Sequence, residues 1–396
     1  MKKLVEIKGV TVNFYTYEGI VRALSNLDLD INQGETLGLV GETGCGKTMA
    51  ALSILRLIMP PGKIESGKII FYTDNNSPID LLAISENEIR AIRGSQISMV
   101  FQEPSAALNP VYTIGDQIAE SILLHRKCEL ASKAQIKLDK LITEDSGKLH
   151  KIVKPLRIIQ RRLYASIANN PHAFWPIFIE RIPIVKRLLW RLDDEAMQIA
   201  IALLKEVEIA DPYRVFKQHP HQLSGGMKQR AVIAMALACC TRLLIADEPT
   251  TSLDVTIQAQ ILELLKRLKT EIQTSILYIT HDLAVAAEIC DRVGVMYSGS
   301  MCELADAGEI YQNPLHPYTK ALMAAVPKPG EKLFAIGGFV PDPLNLPEGC
   351  HFHPRCKDAI DICKDKGPAI IEIAPGHFVT CHLYNGDKFG NINRNS

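Results

Sequence analysis

Eight residues constrain this chain more than any others: Gly41-Glu42-Thr43-Gly44-Cys45-Gly46-Lys47-Thr48, which fit the pattern G-x-x-x-x-G-K-[ST]. The pattern requires a strand before it and a helix after it. The β-rich run Glu35 to Val40 supplies the first, and a helical pattern from Lys47 to Ile58 supplies the second. In that setting the glycines let backbone N–H groups wrap around phosphates. Lys47 reaches the β and γ oxygens, the Thr48 hydroxyl ligates Mg²⁺, and the helix N-terminus adds its dipole.

The same strand and helix grammar returns later. Leu243 to Ala246 and Ser275 to Thr280 read as buried parallel strands. Between them Ile257, Ile261, Leu264, Leu265, Leu268 and Ile272 recur at helical spacing, an amphipathic helix packed on a sheet. The strand at Leu243 ends in Asp247 and Glu248, acids that lose water there unless a cation is near. Asp247 is expected to hold Mg²⁺ through water and Glu248 to polarise the attacking water. The fold class is therefore α/β.

From Thr113 to Gln222 strand signals stop and a helical segment interrupts the core. Lys+Arg 44 against Asp+Glu 44 gives no net charge, so no global field recommends nucleic acid or membrane. The neutrality conceals an asymmetry: residues 126–192 hold 15 Lys+Arg and 5 Asp+Glu, with Trp175 and Trp190 in the same window. Pro171, Pro176 and Pro183 argue against one long helix there. The window is expected either to touch anionic lipid or a membrane-bound partner, or to be a solvated hairpin covering its own apolar seam. No uncharged stretch reaches the roughly 18 residues of a membrane span. Ten cysteines without a signal peptide read as reduced thiols or metal ligands in the cytoplasm.

Leu223-Ser224-Gly225-Gly226-Met227-Lys228-Gln229-Arg230 resembles the signature sequence of the nucleotide-binding subunits of ABC transporters. Ser224 and two glycines opening a helix form a second anion site. The resemblance implies a P-loop NTPase cassette: a RecA-like core at 1–112 and 223–300, a helical subdomain at 113–222 with an insertion near 126–192, and a C-terminal extension at 301–396. It implies two cassettes paired head to tail, identical or paralogous, with each ATP between the P-loop of one and Ser224, Gly225 and Gly226 of the other. Gln102 then joins Thr48 and Asp247 at the Mg²⁺ of the catalytic site and couples that site to the membrane subunit, Asp254 in the loop Ser252-Leu253-Asp254 lies at the seam, and His281 meets the γ-phosphate and the water. Tyr15 or Tyr17 is expected against adenine, with Phe14 in the core. Cys45 lies close enough to phosphate that its oxidation or alkylation is expected to block nucleotide.

Beyond the core, Arg292 to Ser298 and Met301 to Ala305 around Gly299 suggest a hairpin, followed by a Pro/Gly-rich connector and a polar tail from Asn385. Asn313-Pro314-Leu315-His316-Pro317-Tyr318-Thr319-Lys320 resembles the start of the extension in the oligopeptide, dipeptide and nickel subfamily of these ATPases. Cys350, Cys356, Cys363 and Cys381 look like the cysteines that bind a four-iron four-sulfur (4Fe-4S) cluster in some of its members. Thiolates suit Zn²⁺ as well, and His351, His353, His377 and His382 stand near. A structural role, stapling an extension with little core of its own, is expected. The implied function is ATP hydrolysis on the cytoplasmic face of the membrane, coupled to dipeptide or oligopeptide uptake. The partners would be two permease subunits and an extracytoplasmic binding protein. A nickel or oligosaccharide importer, a soluble nucleic-acid-associated ABC ATPase and a redox regulator are the rivals.

Overall fold

Alternating burial along the first 32 residues lays two long strands side by side. The computed structural model describes residues 2–144, 148–169, 192–239, 241–251, 253–326 and 336–384. It divides into two units, Met1–Arg93 with Arg242–Ser396, and Gly94–Thr241. In the first unit β1 (Lys3–Thr16) pairs antiparallel with β2 (Gly19–Asn32). Val5, Ile7, Val10 and Val12 bury one face of β1, and Leu24, Leu27, Leu29 and Ile31 answer from β2. β3 (Thr36–Val40) leaves this layer, whereas β4 (Gly62–Tyr72) and β5 (Pro78–Asp80) complete it in the order β2-β1-β4-β5. Each strand of this hairpin is 14 residues long.

β6 (Ile97–Val100) belongs to the second unit. The first unit resumes with β7 (Leu243–Asp247), β8 (Ser275–Thr280), β9 (Arg292–Tyr297), β10 (Ser300–Asp306), β11 (Ile370–Ala374) and β12 (His377–Thr380). Within this unit the second sheet runs β11-β12-β10-β9-β3-β8-β7. β3 lies parallel to β8 and β9, and β7 parallel to β8. β3, β7 and β8 are buried along their whole length, as strands covered on both faces must be. The helix Val255–Ile272 buries Ile261, Leu264, Leu265 and Leu268.

Two sequence expectations are corrected. The helix after the octet runs Lys47–Ile54 and stops short of Ile58. Arg56 turns left-handed at φ 50, and the Arg93 guanidinium takes the Leu55 carbonyl at 2.7 Å and the Arg56 carbonyl at 3.0 Å, capping the end. The C-terminal extension does not rely on cysteines for attachment, because β12 pairs with β10 and carries β11 with it. Glu303 on β10 is fully buried, and its carboxylate accepts the Leu315 and His316 N–H groups at 2.8 and 2.9 Å and meets His377 Nε2 at 2.8 Å.

The second unit holds β6 and the helices Ile114–His125, Lys127–Glu144, Lys148–Asn169, Leu192–Glu206, Pro212–Phe216 and Gly225–Leu237. It extends beyond the expected 113–222 at both ends. In the basic window, Leu130, Ala134, Leu138, Leu163, Tyr164 and Ile167 are buried between helices with charged outer faces. Trp175, Trp190 and the apolar residues around them lie outside the described residues, as do Ser252, residues 327–335 of the connector and the tail. No helix among the described residues is long and apolar enough to cross a membrane.

Candidate nucleotide site

The octet forms the turn between β3 and the helix Lys47–Ile54. Gly46 is the helix N-cap at φ 102, and a Cβ there would come within 2.7 Å of the Ala23 carbonyl oxygen. A Cβ on Gly41 would meet the Met296 carbonyl oxygen at 2.3 Å. Conformation at one position and close backbone approach at the other therefore demand glycine. Lys47 Nζ, almost wholly buried, donates to the Gly41 carbonyl at 2.7 Å and the Glu42 carbonyl at 3.2 Å, which holds the ammonium over the loop.

β7 brings the acids to this turn. Thr48 Oγ1 donates to Asp247 Oδ1 at 3.2 Å. Burial pushes the Asp247 carboxyl up, and the Glu248 charge adds to it, against the Thr48 hydrogen bond and the Lys47 charge. Glu248 follows in the left-handed region at φ 45, with its N–H bonded to the Ile279 carbonyl at 2.9 Å. Its Oε2 accepts the Thr251 hydroxyl at 3.0 Å and lies 3.4 Å from His281 Nδ1. Strain held at a carboxylate beside an exposed histidine is the arrangement of a functional turn. A divalent cation fits: a hydroxyl and a buried carboxylate in contact, with a second acid adjacent, form a hard oxygen donor set that positive charge would stabilise. Thr48 and Asp247 would hold Mg²⁺ here.

Tyr17, in the β1–β2 turn, is fully exposed, whereas Tyr15 gives its hydroxyl to Glu65 at 2.8 Å and Phe14 packs against Gly62. Asp254 caps Val255–Ile272 by accepting the Ile257 N–H at 3.0 Å. In the second unit, Ser224 caps Gly225–Leu237 by accepting the Met227 N–H at 3.4 Å, with Gly225 exposed and Gly226 half-buried. Gln102 is exposed just beyond β6. Cys45 is 2% exposed, and burial pushes its thiol up, so the fold slows its reaction with thiol reagents.

The profile described as "ABC transporter" matches residues 24–251, more than half of the chain. The chain belongs to the ABC transporter family. A second profile, the C-terminal region of oligopeptide/dipeptide transporters, matches residues 302–363. A probable peptide ABC transporter ATP-binding protein of Sinorhizobium fredii is 39% identical over 96% of this chain and 95% of its own length. The dipeptide transport ATP-binding protein of Bacillus subtilis is 38% identical over 97% and 95%. A dimeric ATP-binding cassette solved with ADP and Pi shares the fold at a TM-score of 0.53 and 24% identity, over 77% of this chain and 99% of that one. As an ABC ATPase the chain binds and hydrolyses ATP.

The extension of this ABC ATPase brings two contacts that the sequence reading missed. Arg355 grips Glu42 of the octet with both amino groups, at 2.6 and 3.0 Å, and the Tyr318 hydroxyl accepts the Glu42 N–H at 3.0 Å. Their spacing from the octet offers no signal, although a lone Glu303 inside the apolar run Met301 to Ala305 hinted that this region is held by buried polar bonds.

The iron–sulfur expectation is not supported. Cys350, Cys356, Cys363 and Cys381 line one cavity with His353 and His382, but its volume is about 10 Å³, room for a single water at most. Burial pushes the thiols of Cys350, Cys356 and Cys381 up, the last to about 11. Among the described residues no three His, Cys, Asp or Glu side chains are grouped to hold a metal ion.

Proposed function

We propose that this ABC ATPase drives uptake of dipeptides or short oligopeptides. In this reading it works as one of two cassettes under a pair of membrane-spanning permease subunits, supplied by an extracytoplasmic binding protein. It would lie on the cytoplasmic face as a peripheral subunit. The observation that carries this is the pairing of an ABC transporter cassette with a C-terminal region of the oligopeptide/dipeptide-transporter type in one chain.

The chemistry follows from the residues. Water attacks the γ-phosphorus, the bond to the β,γ-bridging oxygen breaks, and ADP departs with phosphate left behind. Lys47 exchanges its loop carbonyls for β and γ oxygens. Glu248 accepts the proton of the attacking water, and His281, 3.4 Å away, holds that water in line. Mg²⁺ at Thr48 and Asp247 would neutralise charge developing on the transferred group. Ser224, Gly225 and Gly226 of the facing cassette would complete the cradle, with Asp254 at the seam. Gln102 would report the state of the site to the permease, and Tyr17, the fully exposed aromatic, would stack on adenine.

Reconstitution with the permease in vesicles tests the assignment. Peptide-loaded binding protein should raise ATP turnover and fill the vesicles with peptide. Turnover that responds to nickel or oligosaccharide and never to peptide would refute it.

A further inference from the structure

Glu42 is an acid inside a loop built to hold phosphates. An unpaired carboxylate there would repel a triphosphate, and in a partly buried setting such repulsion is weakly screened. Arg355 meets it from 313 residues along the chain. The Arg355 side chain is 4% exposed, and its guanidinium is engaged along its whole fork. Besides the two bonds to Glu42, one amino group donates to the Tyr297 hydroxyl at 3.2 Å and Nε donates to the Gly337 carbonyl at 3.0 Å. The mount is rigid as well. Tyr318, whose hydroxyl takes the Glu42 N–H, packs edge-on to Tyr297 at 4.7 Å, and Phe352 lies 5.2 Å from each of those rings. The turn His353–Arg355 sits between Cys350 and Cys356, so the thiol cavity and the phosphate loop share one support.

We infer that Arg355 is a positioning residue for nucleotide binding: it neutralises Glu42 and holds that carboxylate aside, so that the C-terminal extension sets the affinity of the loop for a triphosphate. The inference rests on reading residues 41–48 as the phosphate site. A bidentate arginine suits the task because it fixes direction as well as charge, which a lysine does not.

The test measures equilibrium binding of ATP, ADP and adenosine to the full-length chain. Binding of ATP to the unsubstituted chain comes first, since its absence would remove the reading of 41–48 itself. Arg355→Met should then weaken ATP about tenfold, ADP less and adenosine least, because the repulsion scales with ligand charge. In a Glu42→Gln background the same replacement should cost less than about threefold, because the charge it leaves exposed is gone. An equal loss in both backgrounds, an equal loss for ATP and adenosine, or no loss at all would overturn the inference while leaving the phosphate site standing. If Arg355→Met fails to fold by thermal melting, Arg355→Lys replaces it. That variant keeps the charge but not the fixed direction, so it should weaken ATP by less than about tenfold, and a full tenfold loss would contradict the charge argument.

Discussion

His281 Nδ1 and Glu248 Oε2 stand 3.4 Å apart at the C-terminal ends of adjacent parallel strands, β8 and β7. Ligands of open α/β sheets bind at such strand ends. If His281 orients water rather than holds nucleotide, His281→Ala should lower kcat for ATP hydrolysis about 10²-fold and leave KM within a factor of a few. Steady-state turnover measures both, and a rise in KM with kcat unchanged would give His281 a binding role instead.

Ser224 separates helix capping from a role toward a facing nucleotide. Its hydroxyl caps Gly225–Leu237, so Ser224→Ala should cost about 1 kcal/mol by urea unfolding, whereas Ser224→Asn keeps the cap and the stability. Both should slow turnover if the hydroxyl meets a partner's γ-phosphate. Turnover that tracks stability alone would leave Ser224 as a cap.

Acid should loosen the attachment of the extension. Burial works to raise the Glu303 carboxyl, but hydrogen bonds from His377 and from the Leu315 and His316 N–H groups hold it below its ordinary value. A depressed carboxyl contributes stability that is complete above its unfolded pKa, about 4.3, and lost as pH falls through the folded value. Burial lowers His316 to about 4 from 6.5, so its contribution is complete above 6.5 and lost between there and about 4. Urea unfolding should therefore show stability flat near neutrality and falling below pH 6.5. Glu303→Gln should cost about 3 kcal/mol at neutral pH and flatten the most acidic part of the decline. A curve without slope between pH 6.5 and about 4 would contradict the His316 contribution, and a Glu303→Gln curve as steep as the parent's below about pH 4 would contradict that of Glu303.

Cys45, buried in the phosphate loop with its thiol pushed up, should alkylate at least about tenfold more slowly in the native chain than in urea. Mass-spectrometric counting of labelled Cys45 over time checks this. Equal rates would show that the loop opens freely.

How legible these features were depends on how local their causes are. The octet, its flanking strand, the acids after Leu243 and the helix carrying Ile261 to Leu268 are written in contiguous residues, and they sit where periodicity and spacing indicate. The end of the helix at Ile54 is set by Arg93, which takes the carbonyl of Leu55 from 38 residues further on, so the helical pattern in the sequence runs past it. β11 and β12 join the large sheet through β10, and a strand as exposed as β11 gives little alternating signal of its own. The grip of Arg355 on Glu42 joins opposite ends of the chain and is invisible without the fold that brings them together.

The account stands on ATP being cleaved by Glu248 at a site completed by a second cassette. Sedimentation of the Glu248→Gln chain with and without ATP, alongside its turnover, tests this most directly. It should form a dimer only when ATP is present and hydrolyse at least about 10²-fold more slowly than the parent chain. A Glu248→Gln chain that stays monomeric at saturating ATP and turns over at the parent rate would contradict it.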